Sequence, residues 1–254
     1  MDKKKNVFTI IAETRIIHIL LSILLGFAVG AFFLLIMGLD VGAAYGRLIS
    51  SVASVKGFSY VVVYSIPYIM TGLSVAFSFR TGIFNIGSEG QFVMGSMAAA
   101  CIGILLGQLP SAILIPLCFL GAMVVGAVWG IIVGFLKNKW GINEVLSMIM
   151  FNWIAFYLSN FIAGIPAIHS DGTAEATKNI SENASTLLSK ELIADLGLCP
   201  TANWGILVAL LMTIIAWLII DKTTLGYQLK AVGFNKTAAE YGGINVSRSI
   251  LTAL

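Results

Sequence analysis

The sequence predicts an all-α integral membrane protein, a polytopic helical bundle, and three observations carry that prediction. Of its 254 residues, 58% are hydrophobic and only 11% are charged, and mean hydropathy is +0.95. A soluble domain of this length has no interior large enough to hide so much apolar side chain. The apolar residues also fall in runs long enough to cross a hydrocarbon layer, for which about 20 helical residues suffice. Finally, the lysines and arginines stand between these runs and not inside them.

Taken in order, the runs are Ile16–Leu39, Tyr60–Phe79, Ser88–Gly107, Ser111–Leu136, Val145–Ile165 and Trp204–Ile220, which predict about six transmembrane helices. Lys3, Lys4, Lys5 and Arg15 precede the first run as they would in a signal peptide. That run is too long for a signal core of about 7–15 residues and shows no small-residue cleavage site, so it reads as a retained anchor. Pro67 and Pro116 lie inside the second and fourth runs, where a missing backbone N–H should kink or break a helix. Gly26 with Gly30, and Gly126 with Gly130 and Gly134, are spaced for close helix contact, within one subunit or between two.

Threading the runs alternately from an inside amino terminus puts Lys3, Lys4, Lys5, Arg15, Arg80, Lys137, Lys139, Lys222, Lys230, Lys236 and Arg248 inside. Arg47, Lys56, Lys178 and Lys190 remain outside. This asymmetry places both ends of the chain in the cytoplasm. The expected layout is a cytoplasmic segment over residues 1–15, a transmembrane domain over 16–220 with an outer loop at 166–203, and a cytoplasmic segment over 221–254. The net charge of +3 is thinly spread, which points away from nucleic acid as a partner.

The segment Arg80-Thr-Gly-Ile-Phe-Asn-Ile-Gly-Ser-Glu-Gly-Gln91 interrupts this apolar pattern with Asn85, Glu89, Gln91 and three glycines. A carboxylate near the hydrocarbon layer costs about 2.5–3.5 kcal/mol on insertion scales, so it faces a partner or a water-filled cavity. Glycines allow a helix to break there. The reading is a broken helix or re-entrant segment near 80–91 that marks a solute path; the plainer alternative is a cytoplasmic hairpin.

No set of residues supports covalent chemistry. The phosphate-cradling, zinc-protease and nucleophile-elbow patterns are all missing from the sequence, and His18 and His169 fall far apart in the expected topology. Cys101, Cys118 and Cys199 suggest neither a disulfide framework nor a metal cluster. The chain is therefore expected to be no enzyme and to bind no cofactor, and an ATP-driven role would need a separate ATPase. Such a partner must touch the cytoplasmic surface, where Asn235 can cap a short helix through Tyr241 that Gly242 and Gly243 end. Ala238, Ala239 and Tyr241 would offer its contact surface, with Lys236 and Glu240 as an i,i+4 pair.

Three blocks resemble the permease subunits of ABC importers in the branched-chain amino acid and simple sugar superfamily, particularly the nucleoside-type branch. They are Thr81-Gly-Ile-Phe-Asn-Ile-Gly-Ser-Glu-Gly-Gln91, Asn143-Glu-Val-Leu-Ser-Met-Ile-Met-Phe-Asn152 and Lys230-Ala-Val-Gly-Phe-Asn-Lys-Thr-Ala-Ala-Glu-Tyr-Gly-Gly-Ile244. Two departures stand out: Lys230 occupies a position where the family usually has arginine, and the chain stops at Leu254, where members continue into further spans, so it looks truncated.

The resemblance implies import by alternating access in the bacterial cell membrane. Its implied partners are a second permease subunit, identical or paralogous, a cytoplasmic ABC ATPase, an extracytoplasmic substrate-binding protein or lipoprotein, and the lipid bilayer. It implies a substrate path along Phe84, Asn85, Glu89, Gln91, Asn152 and Trp153. It also implies a coupling helix involving Lys230, Gly233, Asn235, Ala238, Ala239, Glu240, Tyr241 and Gly242. Asn143 and Glu144 are expected to cap the helix that follows them, and Glu89 can alternatively hold the broken helix through backbone N–H groups. The competing functions are a permease for a simple sugar or other small polar solute, and an ion-coupled secondary transporter using Glu89.

Overall fold

The computed structural model describes residues 15–172 and 176–254; Lys3, Lys4 and Lys5, with residues 1–14 of the expected amino-terminal segment, lie outside the described residues. The chain divides into two compact units, residues 1–58 and 59–254.

The first unit contains α1 (Arg15–Ile36) and α2 (Val41–Ala53). Gly38 turns the chain between them at φ 71°, a left-handed conformation that costs glycine nothing. Asp40 then caps α2 by accepting from the Ala43 N–H at 3.0 Å. The Tyr45 hydroxyl donates to the Phe27 carbonyl at 2.5 Å, and the Tyr45 ring meets Phe27 edge-on at 5.3 Å. Gly30 lies beneath that hydroxyl, whereas Gly26 has no neighbour within 4 Å. The helix α2 itself is a finding, because a 13-residue helix is too short for a count based on membrane-crossing length.

The second unit continues with α3 (Val55–Phe79, which starts in the first unit), α4 (Ser88–Leu105), α5 (Ser111–Trp140), α6 (Glu144–Ala163), a short α7 (Lys190–Asp195) and α8 (Gly205–Lys222). Then follow α9 (Thr224–Phe234), α10 (Lys236–Tyr241) and α11 (Val246–Ala253). With α1, the helices α3, α4, α5, α6 and α8 make six among the described residues that are long and apolar enough to cross a membrane. They match the six expected runs. Their apolar side chains are largely exposed, Leu24, Val124, Phe161 and Leu211 among them, as a protein solvated by lipid allows.

Neither internal proline breaks its helix. Pro67 lies inside a continuous α3 and Pro116 inside a continuous α5. The Pro67 carbonyl accepts from the Thr71 hydroxyl at 2.8 Å, a back-bond of the kind threonine makes to the residue four before it in a helix. The glycines of α5 have clear partners: Gly134 faces Leu251 and Leu254, and Gly130 faces Gln91 and the Leu254 main chain. Their small size brings α4 and α11 onto α5 within this one chain.

The described residues of the 166–203 segment are folded. His169 bridges to Thr177 and Leu187 to Asn203, and a 3-10 turn spans Glu182–Ala184. The Ser181 hydroxyl and the Asn183 amide both donate to the Gly107 carbonyl, at 2.9 and 3.1 Å. The Cys199 N–H donates to the Ser59 hydroxyl at 2.7 Å. These bonds hold the segment on the ends of α3 and α4.

Candidate functional site

The 80–91 segment is a break between helices. α3 stops where the Ser78 carbonyl accepts from both Thr81 and Ile83 N–H groups, at 3.0 and 3.2 Å, and Gly82 adopts φ 72°. Beyond it Thr81, Ile83 and Asn85 are buried while Gly82 and Phe84 are exposed, the alternation of an extended strand-like path. Ile83 enters a core with Val133, Met148 and Ile250. An exposed hairpin would not bury these residues, so the segment is an internal break.

Two amide clamps hold it. In the first, the Asn85 amide donates to the Ser74 hydroxyl at 3.0 Å and, at 3.5 Å, to the Gln91 side-chain carbonyl. Ser74 in turn donates to that carbonyl at 3.2 Å, and the Gln91 amide donates to the Leu254 main-chain oxygen at 2.7 Å. The Ser78 hydroxyl likewise donates to the Ala253 carbonyl. In the second, Asn152 on α6 donates to the Ile86 carbonyl at 3.0 Å and accepts from the Gly90 N–H at 2.9 Å. One side chain thus grips the last turn of the break and the first turn of α4.

The expected path residues separate into two groups. Asn85, Gln91 and Asn152 are engaged in these clamps. Glu89 and Phe84 are exposed; the Glu89 carboxylate has no partner among the described residues and lies in the first turn of α4, where the helix dipole favours negative charge. Phe84 packs edge-on against Phe79 at 5.1 Å. Trp153 is exposed and its ring stacks on Tyr157 at 6.2 Å. A cavity of about 300 Å³ between α3, α8 and the end of α11 is bordered by Ser74 but not by Glu89. Ser74, Ser78 and Trp129 were missed by sequence reasoning, because serine and tryptophan inside an apolar run carry no periodic signal. Three buried polar atoms here have no partner among the described residues: Thr81 Oγ1, Asn85 Oδ1 and Trp129 Nε1.

At the start of α6, Asn143 is the cap, accepting from the Val145 and Leu146 N–H groups at 2.9 and 3.2 Å. Glu144 pairs with Lys137 at 2.5 Å. Both serve the local structure, as expected.

In the 224–254 segment Asn235 caps α10 by accepting from the Ala238 N–H at 3.0 Å. Gly242 follows Tyr241 as the helix ends and Gly243 turns at φ 79°. Lys230 pairs with Asp221 at 2.6 Å, tying α9 to the end of α8. Ala239 is only 5% exposed, a correction to its expected place on the contact surface, because its face of α10 turns toward the neighbouring helices. Ala238 and Glu240 are exposed, and no ion pair joins Glu240 to Lys236. Phe234 and Tyr241, at 89% and 91% exposed, flank α10 as two projecting aromatics. Gly233 meets the Arg80 carbonyl and Gly82.

No solved structure matches the chain significantly. Among curated proteins it is 38% identical over 248 residues to the guanosine ABC transporter permease protein NupP of Bacillus subtilis (strain 168), covering 94% of this chain and 68% of that one. It is 34% identical over 244 residues to the nucleoside ABC transporter permease protein NupB of Lactococcus lactis subsp. cremoris (strain MG1363), covering 92% and 65% respectively. To the glucose ABC transporter permease protein TsgB13 of Haloferax volcanii it is 30% identical over 229 residues, covering 89% and 60%. The chain thus spans about two thirds of the length of these relatives or somewhat less. Residues 57–254 match the family described as branched-chain amino acid transport system / permease component, and with six candidate spans and a clamped polar break between two of them, the chain belongs to that family of membrane permeases.

Proposed function

We propose that this chain is the membrane-spanning subunit of an ATP-driven ABC importer for nucleosides in the bacterial cell membrane. The observation that carries the reading is 38% and 34% identity to permeases named for guanosine and nucleosides, over nine tenths of the chain. The buried break at 80–91 supports it, since polar groups are retained between apolar helices where a polar solute must pass. Glu89 and Phe84 are the path groups, the carboxylate accepting from ribose hydroxyls and the ring offering a face to a base. Asn85, Gln91 and Asn152 hold that surface in shape. Trp153 belongs to an exposed aromatic group with Phe156 and Tyr157 on α6.

The subunit works as one of a permease pair, with an extracytoplasmic binding protein or lipoprotein delivering solute and a cytoplasmic ATPase driving the cycle. Both ends of the chain face the cytoplasm, in keeping with the lysine and arginine asymmetry. Uptake of radiolabelled guanosine by cells carrying the complete transporter is the test. It is expected to persist in the presence of an uncoupler and to disappear when the ATPase is deleted. Collapse with the uncoupler alone would favour ion coupling through Glu89, and uptake of glucose in place of guanosine would favour the sugar reading. In the same assay Glu89→Ala should lower uptake by roughly ten- to a hundredfold, the loss of a hydrogen bond to a charged group at about 1.5–3 kcal/mol, while membrane levels stay unchanged. Normal uptake would remove Glu89 from the path.

The docking element is α10 with its flanking aromatics. Exposed aromatic side chains are typical anchors for a partner's pockets, and neither Phe234 nor Tyr241 makes an aromatic contact among the described residues. The double variant Phe234→Ala, Tyr241→Ala is expected to lose co-purification of the ATPase, at a cost of about 2 kcal/mol or more per anchor. Retained co-purification would place the docking surface elsewhere.

A further inference from the structure

We propose that the backbone contact between Gly82 and Gly233 is the joint through which movement of the 224–254 segment reaches the broken helix, with Gly233 acting as a positioning residue and not as a partner contact. This rests on the reading of α10 as the docking element. The contact is unusually bare. A Cβ on Gly233 would lie 2.2 Å from the Arg80 carbonyl oxygen and 3.2 Å from the Gly82 nitrogen, and a Cβ on Gly82 would lie 3.5 Å from the Gly233 Cα. Two stretches of main chain therefore touch with no side chain between them. A side-chain contact can give way by a rotamer change, whereas packed backbone transmits a displacement.

Both ends of the joint are tied to what it must connect. On one side, Phe234 follows Gly233 directly and is 89% exposed, so a partner holding Phe234 pulls on the joint itself. The Asn235 N–H donates to the Ala231 carbonyl at 3.1 Å and the Asn235 side chain caps α10, making α9 and α10 move together. On the other side, Gly82 lies between Thr81 and Ile83, both fully buried, and Ile83 packs on Val133, Met148 and Ile250. A shift of Gly82 therefore displaces the clamped loop. That loop region also holds the three partnerless buried atoms on Thr81, Asn85 and Trp129, groups that a second arrangement can satisfy.

The test uses the complete transporter. Gly233→Ala is expected to leave ATPase co-purification intact and ATP hydrolysis within about twofold of the parent while lowering uptake roughly tenfold or more, the range of a lost coupling energy. Normal uptake overturns the joint, and so does loss of the ATPase, which would make Gly233 a docking residue or a folding requirement. Independently of that variant, a cysteine introduced as Ser88→Cys in a background lacking Cys101, Cys118 and Cys199 reports on the loop. Its maleimide labelling rate should change about fivefold or more between nucleotide-free and nucleotide-trapped transporter; an unchanged rate overturns the joint. Should the unaltered chain bring down no ATPase at all, the docking reading fails first, and the joint fails with it.

Discussion

Gly90→Val is expected to give the largest loss of stability of any single substitution in the motif, with uptake lost alongside. A Cβ at Gly90 would stand 2.8 Å from Asn152 Oδ1, 3.0 Å from Trp129 Nε1 and 3.3 Å from the Asn152 Cα, so α4, α5 and α6 meet at this one residue. Overpacking costs about 1–3 kcal/mol in well-packed sites. The same change removes the approach that lets the Gly90 N–H reach Asn152 at 2.9 Å, a bond worth about 0.6–1.7 kcal/mol in membrane proteins. Steric exclusion is thus the larger effect. Thermal unfolding in detergent, followed by size-exclusion chromatography, measures the loss. Gly90→Ala should be milder, and Asn152→Ala added to it should recover part of the deficit by vacating the nearest atom, a positive coupling that only neighbours show. Strict additivity of the two would mean that the residues do not meet as described.

Gln91→Leu is expected to come second, for an electrostatic reason. Gln91 accepts from Ser74 and Asn85 and donates to Leu254, so leucine at this position strands the Ser74 O–H and the Leu254 oxygen, while the Asn85 amide keeps its shorter bond to Ser74. A buried polar group left without its partner costs about 1–3 kcal/mol. Ser74→Ala removes one donor and should be the weaker change. Gln91→Glu keeps an acceptor for Ser74 but sets a carboxylate against the Leu254 oxygen, so it should rescue little. The decisive measurement is the midpoint of thermal unfolding across the three variants, with uptake recorded in parallel. Equal midpoints for Gln91→Leu and the parent would mean that the network does not hold the break.

Much of the fold was legible in the sequence because lipid imposes a simple rule. The six runs match six helices to within a few residues at most ends, since a span needs only length and continuous apolarity. The cap at Asn235 and the stop near Gly242 were equally legible, because both depend on residues within one turn of each other. Helix α2 was missed since its 13 residues fall below the length that signals a span. The prolines break neither helix: a propensity against helix is outweighed where the neighbours leave a membrane segment no better structure.

The candidate site was legible in its position but not in its division of labour. Asn85, Glu89 and Gln91 stand close together in the chain and all read as polar intrusions of the same kind. Asn85 is 1% exposed and bonded to Ser74, whereas Glu89 is exposed. Burial of that kind depends on which helices surround each side chain, a question that residue type does not answer.

The amino-acid sequence by itself determined that this is a membrane-spanning helical protein, where its helices run, and that a polar break interrupts them, because hydrophobic transfer and capping act through composition and near neighbours. Only the tertiary structure decided that Asn152 on α6 grips that break, that Lys230 turns to Asp221, and that Gly82 and Gly233 touch backbone to backbone. Those contacts join residues far apart in the chain, and what brings them together is the packing of whole helices, to which no local stretch of sequence points.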